Sequence, residues 1–254
     1  DPATFFLHNL FRETSAQPPD ARAHRVRHYL ASFVQAMQGG GAGEWPAARP
    51  RLLPAIRHVE LVANAHAAAT PGAPRPRVLH RPFVPGVMEC AVLDDPTSMA
   101  YATEADLGRW GVPEAVVFAE ARENLRPRAW EGIEPLARGP YTLLQISSRD
   151  DYESSRAALP GWLASFAPHV RGVPICAFPE RSALFVTGDG DPAAIAHLLA
   201  LASHGFTTSS RGISPLPYHA IADGRLVPLQ LPPGHPVAGA LAQAERLFAA
   251  RLPA

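Results

Sequence analysis

The chain contains no lysine, because every one of its 23 Lys or Arg residues is an arginine. A Schiff base on a protein lysine and the lysine of a phosphate-binding loop are therefore excluded within this sequence. Long apolar runs are also absent, since none approaches the ~20 residues that a membrane-spanning helix needs. The formal net charge is +0, which lacks the basic surplus of a general nucleic-acid-binding protein. We predict neither a membrane nor nucleic acid as a general partner.

Cysteine is scarce, with only Cys90 and Cys176 in the chain. Both fall in predicted strands, where a free thiol behaves as a small buried apolar group. Two such thiols suit a reducing compartment better than a disulfide framework. The first residues show no signal peptide. We therefore expect a cytoplasmic protein in which both cysteines are reduced and buried.

The usual motifs of metal-dependent and nucleophilic catalysis are missing. His58-Val59-Glu60 matches the first half of a zinc deaminase signature, but the Pro-Cys-x-x-Cys half is absent. His-Glu-x-x-His, paired Cys-x-x-Cys and Gly-x-Ser-x-Gly are absent as well. His58 and His66 are eight residues apart on a predicted helix, too far for ligands on adjacent turns, so a surface or hydrogen-bonded role is favoured. We predict no metal and no cofactor.

Composition and pattern together predict an α+β protein. The hydrophobic content of 47% and charged content of 18% are ordinary for a globular protein, and 254 residues suit one large domain or two small ones. We expect an N-terminal helical part over residues 1–72, with 52–69 helical and alanine-rich. The segment 70–76, rich in Pro and Gly, is the predicted linker. The α+β part covers 78–254 and contains a mixed, largely antiparallel sheet with flanking helices. We expect the N-terminal helical part to pack on this sheet.

The second part is organised around residues 88–125. Met88 to Leu93 is a predicted strand, and Asp94-Asp95-Pro96 ends it because proline has no N–H for a strand ladder. Thr103 to Asp106 matches a capping box, which opens a short helix that ends at Gly111. A second helix then runs to the end of the stretch.

Alternating patterns further along predict two antiparallel hairpins in the same sheet as 88–93. The other predicted elements are a strand over 141–146, a helix capped by Asp150 or Asp151, hairpins over 173–187 and 216–230, a helix from Pro192 that ends before Gly205, and a final helix over 237–252. Asp189 and Asp191 stand in a turn that lacks the later ligands of a calcium loop, so a turn and a helix cap are predicted there.

Several polar residues are predicted to face the interior. Asn124 shares a helix face with Val117 and Ala121. Its amide either forms hydrogen bonds to a neighbouring loop or binds a ligand, and the first interpretation is preferred. Four arginines lie beside apolar residues, and each is either half of an internal ion pair, the commoner outcome, or an anion clamp. These arginines are Arg12, Arg57, Arg156 and Arg181.

Seven short motifs stand in a fixed order along almost the whole chain. They are L-H-N-L-F-R-E (7–13), L-L-P-A-I-R (52–57), L-D-D-P-T-S-M-A-Y-A-T-E-A-D-L-G-R-W-G (93–111), E-N-L (123–125), D-D-Y-E-S-S-R (150–156), P-E-R (179–181) and I-S-P-L-P-Y (213–218). In these the chain resembles the YtpQ-like family of bacterial proteins. The resemblance implies a bacterial cytoplasmic protein of mixed helices and strands, and no established reaction. Typical members begin with a longer N-terminal segment and carry Asp after the hairpin-turn arginine, where this chain has Ser182.

Two functions remain open from the sequence. The first is a non-catalytic binding or regulatory module for a small anionic ligand or a partner protein. The second is a metal-independent hydrolase or transferase that uses Asp94 or Asp151 as general base. The lack of a recognised nucleophile–base arrangement favours the first.

Polar residues of the family-like motifs fall at the ends of predicted elements, where loops present them over a rigid scaffold. We therefore expect one concave surface bordered by ligand-binding residues. The candidates are Asp94, Tyr101, Asn124, Arg156, Arg181 and Ser214. The competing interpretation makes them separate caps and ion pairs scattered through the fold.

Overall fold

The computed structural model describes residues 14, 18–23, 26–27, 43–67, 77–95, 98–137 and 139–253. The strands are β1 Leu52–His58, β2 His80–Val84, β3 Val87–Asp95, β4 Ser98–Tyr101, β5 Ile133–Ala137, β6 Leu143–Ile146, β7 Pro174–Glu180, β8 Ala183–Gly188, β9 Pro217–Ala220 and β10 Leu226–Pro228. The α-helices are α1 Trp45–Ala48, α2 Val59–Ala67, α3 Glu104–Trp110, α4 Glu114–Leu125, α5 Pro192–Thr208 and α6 Ala238–Ala249. Short 3-10 segments cover Arg49–Arg51, Arg126–Arg128, Ser154–Ala158 and Leu163–His169. The predicted α+β class is confirmed.

The described strands form two sheets. One has the order β1-β3-β2 with β4 also on β3, and the other has the order β10-β9-β7-β8-β6-β5. Every neighbouring pair in the second sheet is antiparallel. The predicted hairpins are therefore confirmed as β7–β8 and β9–β10. The prediction that both hairpins share a sheet with 88–93 is wrong. That segment lies in β3, which belongs to the first sheet and is hydrogen-bonded there to β1, β2 and β4.

The predicted helix over 52–69 is wrong for its first half. Leu52–His58 is a strand buried along its whole length, and the helix begins only at Val59. A strand covered on both faces shows no alternation of polar and apolar residues, so its pattern resembles a buried helix. Pro54 was the opposing signal, because proline disfavours a helix interior.

The central stretch follows the prediction closely. The capping box is present, since Thr103 Oγ1 accepts from the backbone N–H of Asp106 and Asp106 Oδ2 accepts from that of Thr103. Gly111 closes α3 with a φ of 63°, in the left-handed region that glycine tolerates. The strand continues through Asp94 and Asp95, where a turn is predicted, because β4 folds back and pairs with both of them.

Two predicted helices differ from the structure, one in its type and the other in its end. The helix expected to begin at Asp150 or Asp151 is replaced by the two 3-10 segments over 154–169, which follow positive φ angles of 59° at Arg149 and 64° at Asp151. Gly205 lies inside α5 rather than beyond its end, and the lack of a side chain there lets Pro179 pack closely, since a Cβ would lie 3.0 Å from its Cγ. Asp191 caps α5 as predicted, through its bond to the N–H of Ala193.

The described chain forms two compact units, which consist of Asp1–Leu53, Asn64–Leu79 and Ala91–Asn124 in the first and Pro54–Ala63, His80–Cys90 and Leu125–Ala254 in the second. The first has a core that includes Leu52, Leu93 and Phe118. The second buries Phe178 and Tyr218, whose rings stack 4.8 Å apart. Most of residues 1–42 of the predicted N-terminal helical part, and the whole predicted linker over 70–76, fall outside the described residues.

Both cysteines are free and have no exposed surface, as predicted. Burial raises the pKa of the Cys90 thiol to about 12 and also raises the pKa of Cys176. Neither thiol therefore ionises near neutral pH. Among the described residues, no helix combines the length and hydropathy needed to span a membrane.

Candidate functional site

The six predicted site residues divide between the two units. Asp94, Tyr101 and Asn124 belong to the first, and Arg156, Arg181 and Ser214 belong to the second. In the first unit, Asp94 pairs with Met99 in the ladder of β3 and β4, and Tyr101 at the end of β4 pairs with Val92.

Asn124 is a structural amide. Its Nδ2 donates to the carbonyl oxygens of Arg49 at 2.7 Å and Leu52 at 3.0 Å, so both amide hydrogens are used. These bonds fix the end of α4 to the backbone that leads into β1. The preferred interpretation of Asn124 is confirmed.

Arg156 is completely buried and completely engaged. Its Nη1 and Nη2 donate to Oδ1 and Oδ2 of Asp150 at 3.2 and 3.0 Å, and its Nε donates to the carbonyl oxygen of Arg128 at 3.1 Å. A two-point contact of this kind is the strongest pairing that a guanidinium makes with a carboxylate. The ion-pair interpretation of Arg156 is confirmed.

The turn over residues 150–154, which contains Asp150, also contacts Arg181. Nη2 of Arg181 lies 3.3 Å from Oδ2 of Asp151, and its carbonyl oxygen accepts from the N–H of Ser154 at 3.1 Å. The structure thus brings Arg156 and Arg181 together on the segment 150–156. Ser214 has other partners, because its Oγ lies 2.6 Å from the hydroxyl of Tyr218 and accepts from the N–H of Leu216.

Two carboxyl groups in this turn have opposite pKa shifts. Burial opposes ionisation of Asp150, but hydrogen bonds and the charge of Arg156 outweigh it and lower the pKa of Asp150. Burial raises the pKa of Glu153, and the charge of Asp150 adds to that effect. Glu153 is 1% exposed; its Oε1 accepts from the N–H of Arg149, and its Oε2 has no hydrogen-bond partner among the described residues.

His58 is a second buried polar group without a full set of partners. It ends β1, is 3% exposed, and accepts at Nδ1 from the N–H of Glu60 at 3.2 Å. Because Nδ1 accepts this bond, the hydrogen of the neutral ring is on Nε2. In the part of the chain that the structure describes, Nε2 has no hydrogen-bond partner. The rings of Phe248 and Phe206 lie 5.5 and 6.5 Å from the histidine ring.

Arg251 lies just beyond α6 and, like this histidine, faces the ring of Phe206. Its guanidinium carbon is 4.8 Å from the centre of the Phe206 ring, and Nη1 donates to the Phe206 carbonyl oxygen at 3.4 Å. Within the described residues, no carboxylate forms an ion pair with Arg251. Burial is the main cause that lowers the pKa of His58; the charge of Arg251 adds to it, and the charge of Glu60 opposes it. His58 is therefore a neutral N–H donor near pH 7.

Gly212 makes room for this arrangement. A Cβ atom at position 212 would lie 2.5 Å from Nη1 of Arg251 and 2.7 Å from the carbonyl oxygen of Phe206. Neither distance is tolerable, so the guanidinium occupies its position only because residue 212 has no side chain. We refer to His58, Arg251, Phe206 and Phe248 as the donor site.

Sequence reasoning missed the donor site for two reasons. His58 falls in a predicted helix, whereas the strand over 52–58 places it at a strand end. Arg251 lies in no motif, and nothing local indicates that it lacks an acidic partner. Of the other arginines considered, Arg57 is 5% exposed and donates from Nη1 to the carbonyl oxygen of Ile56, and Arg12 lies outside the described residues.

The described residues contain no group of three or more His, Cys, Asp or Glu side chains that could hold a metal ion. Comparison of the chain with family models, with curated proteins and with solved structures gives no match. The geometry of the site is therefore the basis for a functional conclusion.

Proposed function

We propose that this protein is a non-catalytic binding module for a small anionic ligand and that it binds this ligand at the donor site. The observation that carries the proposal is an arginine without a carboxylate partner among the described residues, beside a buried histidine whose Nε2–H has no acceptor there. Both groups donate hydrogen bonds, and an anion accepts them. The YtpQ-like resemblance and the cytoplasmic location expected with it belong to the same proposal.

The energetics favour a ligand at these two groups. A buried N–H without an acceptor destabilises the fold by about 1–3 kcal/mol, and an oxygen from a ligand would remove that penalty. A hydrogen bond that involves a charged group contributes about 1.5–3 kcal/mol, which corresponds to roughly a tenfold to hundredfold gain in affinity. The half-buried position of Arg251 keeps its guanidinium in reach of solvent while the ring of Phe206 lies against it.

The arginines predicted from the sequence are less suitable as an anion clamp. Arg156 and Arg181 each face an aspartate in the 150–154 turn. A ligand would have to displace Asp150 from a bidentate contact in a buried setting, and breaking a buried pair costs about 3–5 kcal/mol.

Thermal shift measurements with phosphate, sulfate, acetate and benzoate test the proposal. At least one anion should raise the Tm of the wild type, and Arg251→Gln should remove this stabilisation. Arg246→Gln is the matched control, because Arg246 is exposed on α6 and the substitution changes the net charge equally. Stabilisation that survives Arg251→Gln, or that is lost equally in the control, would contradict the proposal.

One observation favours the alternative of a metal-independent hydrolase or transferase. The opposite pKa shifts of Asp150 and Glu153 resemble the division between a carboxylate base and a carboxylic acid in acid–base catalysis. Against it, Arg156 holds both carboxylate oxygens of Asp150, so this group is not free to act as a base. Hydrolysis of ester or phosphoester substrates that is abolished by Glu153→Gln would establish the alternative; unchanged turnover in that variant would eliminate it.

A further inference from the structure

We propose that the ligand of the donor site is a monocarboxylate with a short apolar or aromatic body. The inference rests on the proposed function, because it names the class of anion bound there. Three features of the site carry it: the number of positive charges, the chemistry of the walls, and the coupling between the ligand and His58.

The charges at the site match a single negative charge. Arg251 supplies one permanent positive charge, and His58 supplies a neutral N–H, since its lowered pKa keeps the ring unprotonated near neutral pH. The side chain of Glu60 is exposed, and its charge opposes that of Arg251 at the histidine. A phosphate dianion would leave one negative charge uncompensated, whereas a carboxylate is balanced by Arg251. Guanidinium and carboxylate are also both planar and pair through parallel bonds.

The walls of the donor site are apolar. Phe248 meets the His58 ring edge to face, and the guanidinium lies over the ring of Phe206. Gly86 allows close packing here, because a Cβ at that position would lie 2.6 Å from Cδ2 of Leu252 and 2.7 Å from Cζ of Phe248. Ligand sites with mostly apolar walls and a few polar groups bind molecules whose bodies are apolar.

The most exposed part of this region lies at the end of α6. Leu252 is 39% exposed and Arg251 is half-buried, whereas His58 is 3% exposed. A ligand therefore reaches Nε2 of His58 only when the chain around Arg251 and Leu252 moves aside.

Binding of a carboxylate should be linked to protonation of His58. The charged groups that act on this histidine are Glu60 on α2 and Arg251 beyond α6, and the other contacts are the rings of Phe206 and Phe248. A bound carboxylate favours the protonated ring and so raises the pKa of His58. Because the pKa of the ligand-free ring is lowered, the ring stays neutral near pH 7, and binding takes up protons and tightens only as the pH falls toward 6.

Isothermal titration calorimetry of the wild-type chain with benzoate, acetate, phosphate and sulfate tests the inference. Benzoate should bind at least about tenfold more tightly than acetate, because its ring buries apolar surface. Phosphate and sulfate should bind more weakly than benzoate. Repeating the benzoate titration at pH 6, 7 and 8, in buffers with different heats of ionisation, should show proton uptake and increasing affinity toward pH 6.

Two variants of His58 separate its roles. His58→Gln retains an N–H donor at the position of Nε2, whereas His58→Asn keeps an acceptor for the N–H of Glu60 but has no donor that reaches the position of Nε2. Benzoate affinity should persist in the first variant and fall about tenfold or more in the second, as expected for one lost hydrogen bond to a charged group. In both variants the pH dependence between 6 and 8 should disappear. Equal affinity for benzoate in the two variants would overturn a role for the Nε2 donor.

The outcomes distinguish this inference from the proposed function. If phosphate or sulfate binds as tightly as benzoate and Arg251→Gln abolishes all binding, the site is a general anion site and the monocarboxylate inference fails alone. If benzoate binds equally to the wild type and to Arg251→Gln, or if no anion binds, both proposals fail. Benzoate binding that requires Arg251 and exceeds that of phosphate supports both.

Discussion

Arg156 and Arg251 occupy opposite environments within the same unit. Arg156 has no exposed surface, and Asp150 and a backbone carbonyl engage its guanidinium. Arg251 is half-buried on the ring of Phe206, and no described carboxylate neutralises it. A buried guanidinium is tolerated only with an acidic partner, and that partner occupies the donors that a ligand would use. An arginine beside apolar residues is therefore a candidate ligand group only where the fold does not already neutralise it.

The largest expected effect concerns the paired arginine. Asp150→Ala leaves Arg156 buried without its carboxylate and should lower the free energy of unfolding by about 3–5 kcal/mol. Urea denaturation at pH 7 measures this change. Asp223→Ala removes the partner of Arg225 in an exposed pair and should leave the urea midpoint essentially unchanged. A loss in Asp150→Ala no larger than in this control would remove the distinction between the two arginines.

A smaller loss of stability is expected from a substitution at Gly212, where the fold makes room for Arg251. Gly212→Ala places a methyl group against Nη1 of Arg251 and the Phe206 carbonyl oxygen, and should destabilise the protein by about 1–3 kcal/mol. It should also weaken anion binding, because the guanidinium must move. Gly239→Ala is the control, since position 239 on α6 has open space around a Cβ. Unchanged stability and anion affinity in Gly212→Ala would show that the position of Arg251 is adjustable.

Glu153 is an unpaired acid beside the paired arginine. Burial raises its folded pKa above the ordinary value of 4.5, so its contribution to stability is present below pH 4.5 and is lost as the pH rises through the raised pKa. Glu153→Gln keeps an oxygen acceptor for the N–H of Arg149 and cannot ionise. The variant should be more stable than the wild type at pH 7, by less than the loss in Asp150→Ala.

Urea midpoints measured from pH 4 to pH 8 check this expectation for Glu153. The curve for Glu153→Gln should be flatter than the wild-type curve above pH 4.5. Glu134→Gln is a suitable control, because Glu134 is an exposed carboxyl group on β5. A wild type that is more stable than Glu153→Gln at pH 7 would show that the ionised carboxylate has a partner.

Elements with local signals were predictable from the sequence. The capping box at Thr103, the glycine end of α3 and both hairpins depend on residues close together in the chain, and all are confirmed. The failures depend on tertiary context. β1 lacks alternation because both of its faces are buried, and the sheet to which β3 belongs depends on distant strands that compete for its edges.

The same division applies to the candidate site. Asp150 stands six residues before Arg156, so this ion pair lies within a single motif. The acceptors of Asn124 lie more than 70 residues away, and only the inward direction of its side chain was predictable. His58 and Arg251 come to the same Phe206 ring through the fold alone, since they stand far apart in the chain. The absence of a carboxylate beside Arg251 is a property of tertiary structure and leaves no trace in local sequence.

The smallest expected effect concerns the contribution of Arg251, the unpaired arginine, to the stability of the protein. Arg251→Gln removes a cation–π contact with Phe206 and one long hydrogen bond, and no ion pair among the described residues. Exposed contacts of this kind contribute about 0.5–1 kcal/mol, so the free energy of unfolding in anion-free buffer should fall by no more than about 1 kcal/mol. The urea midpoint should then be close to that of Arg246→Gln. With benzoate present, the midpoints of the wild type and Arg246→Gln should rise while that of Arg251→Gln does not. A loss of 3 kcal/mol or more without any anion would mean that Arg251, like Arg156, supports the fold, and the two arginines would no longer differ in kind.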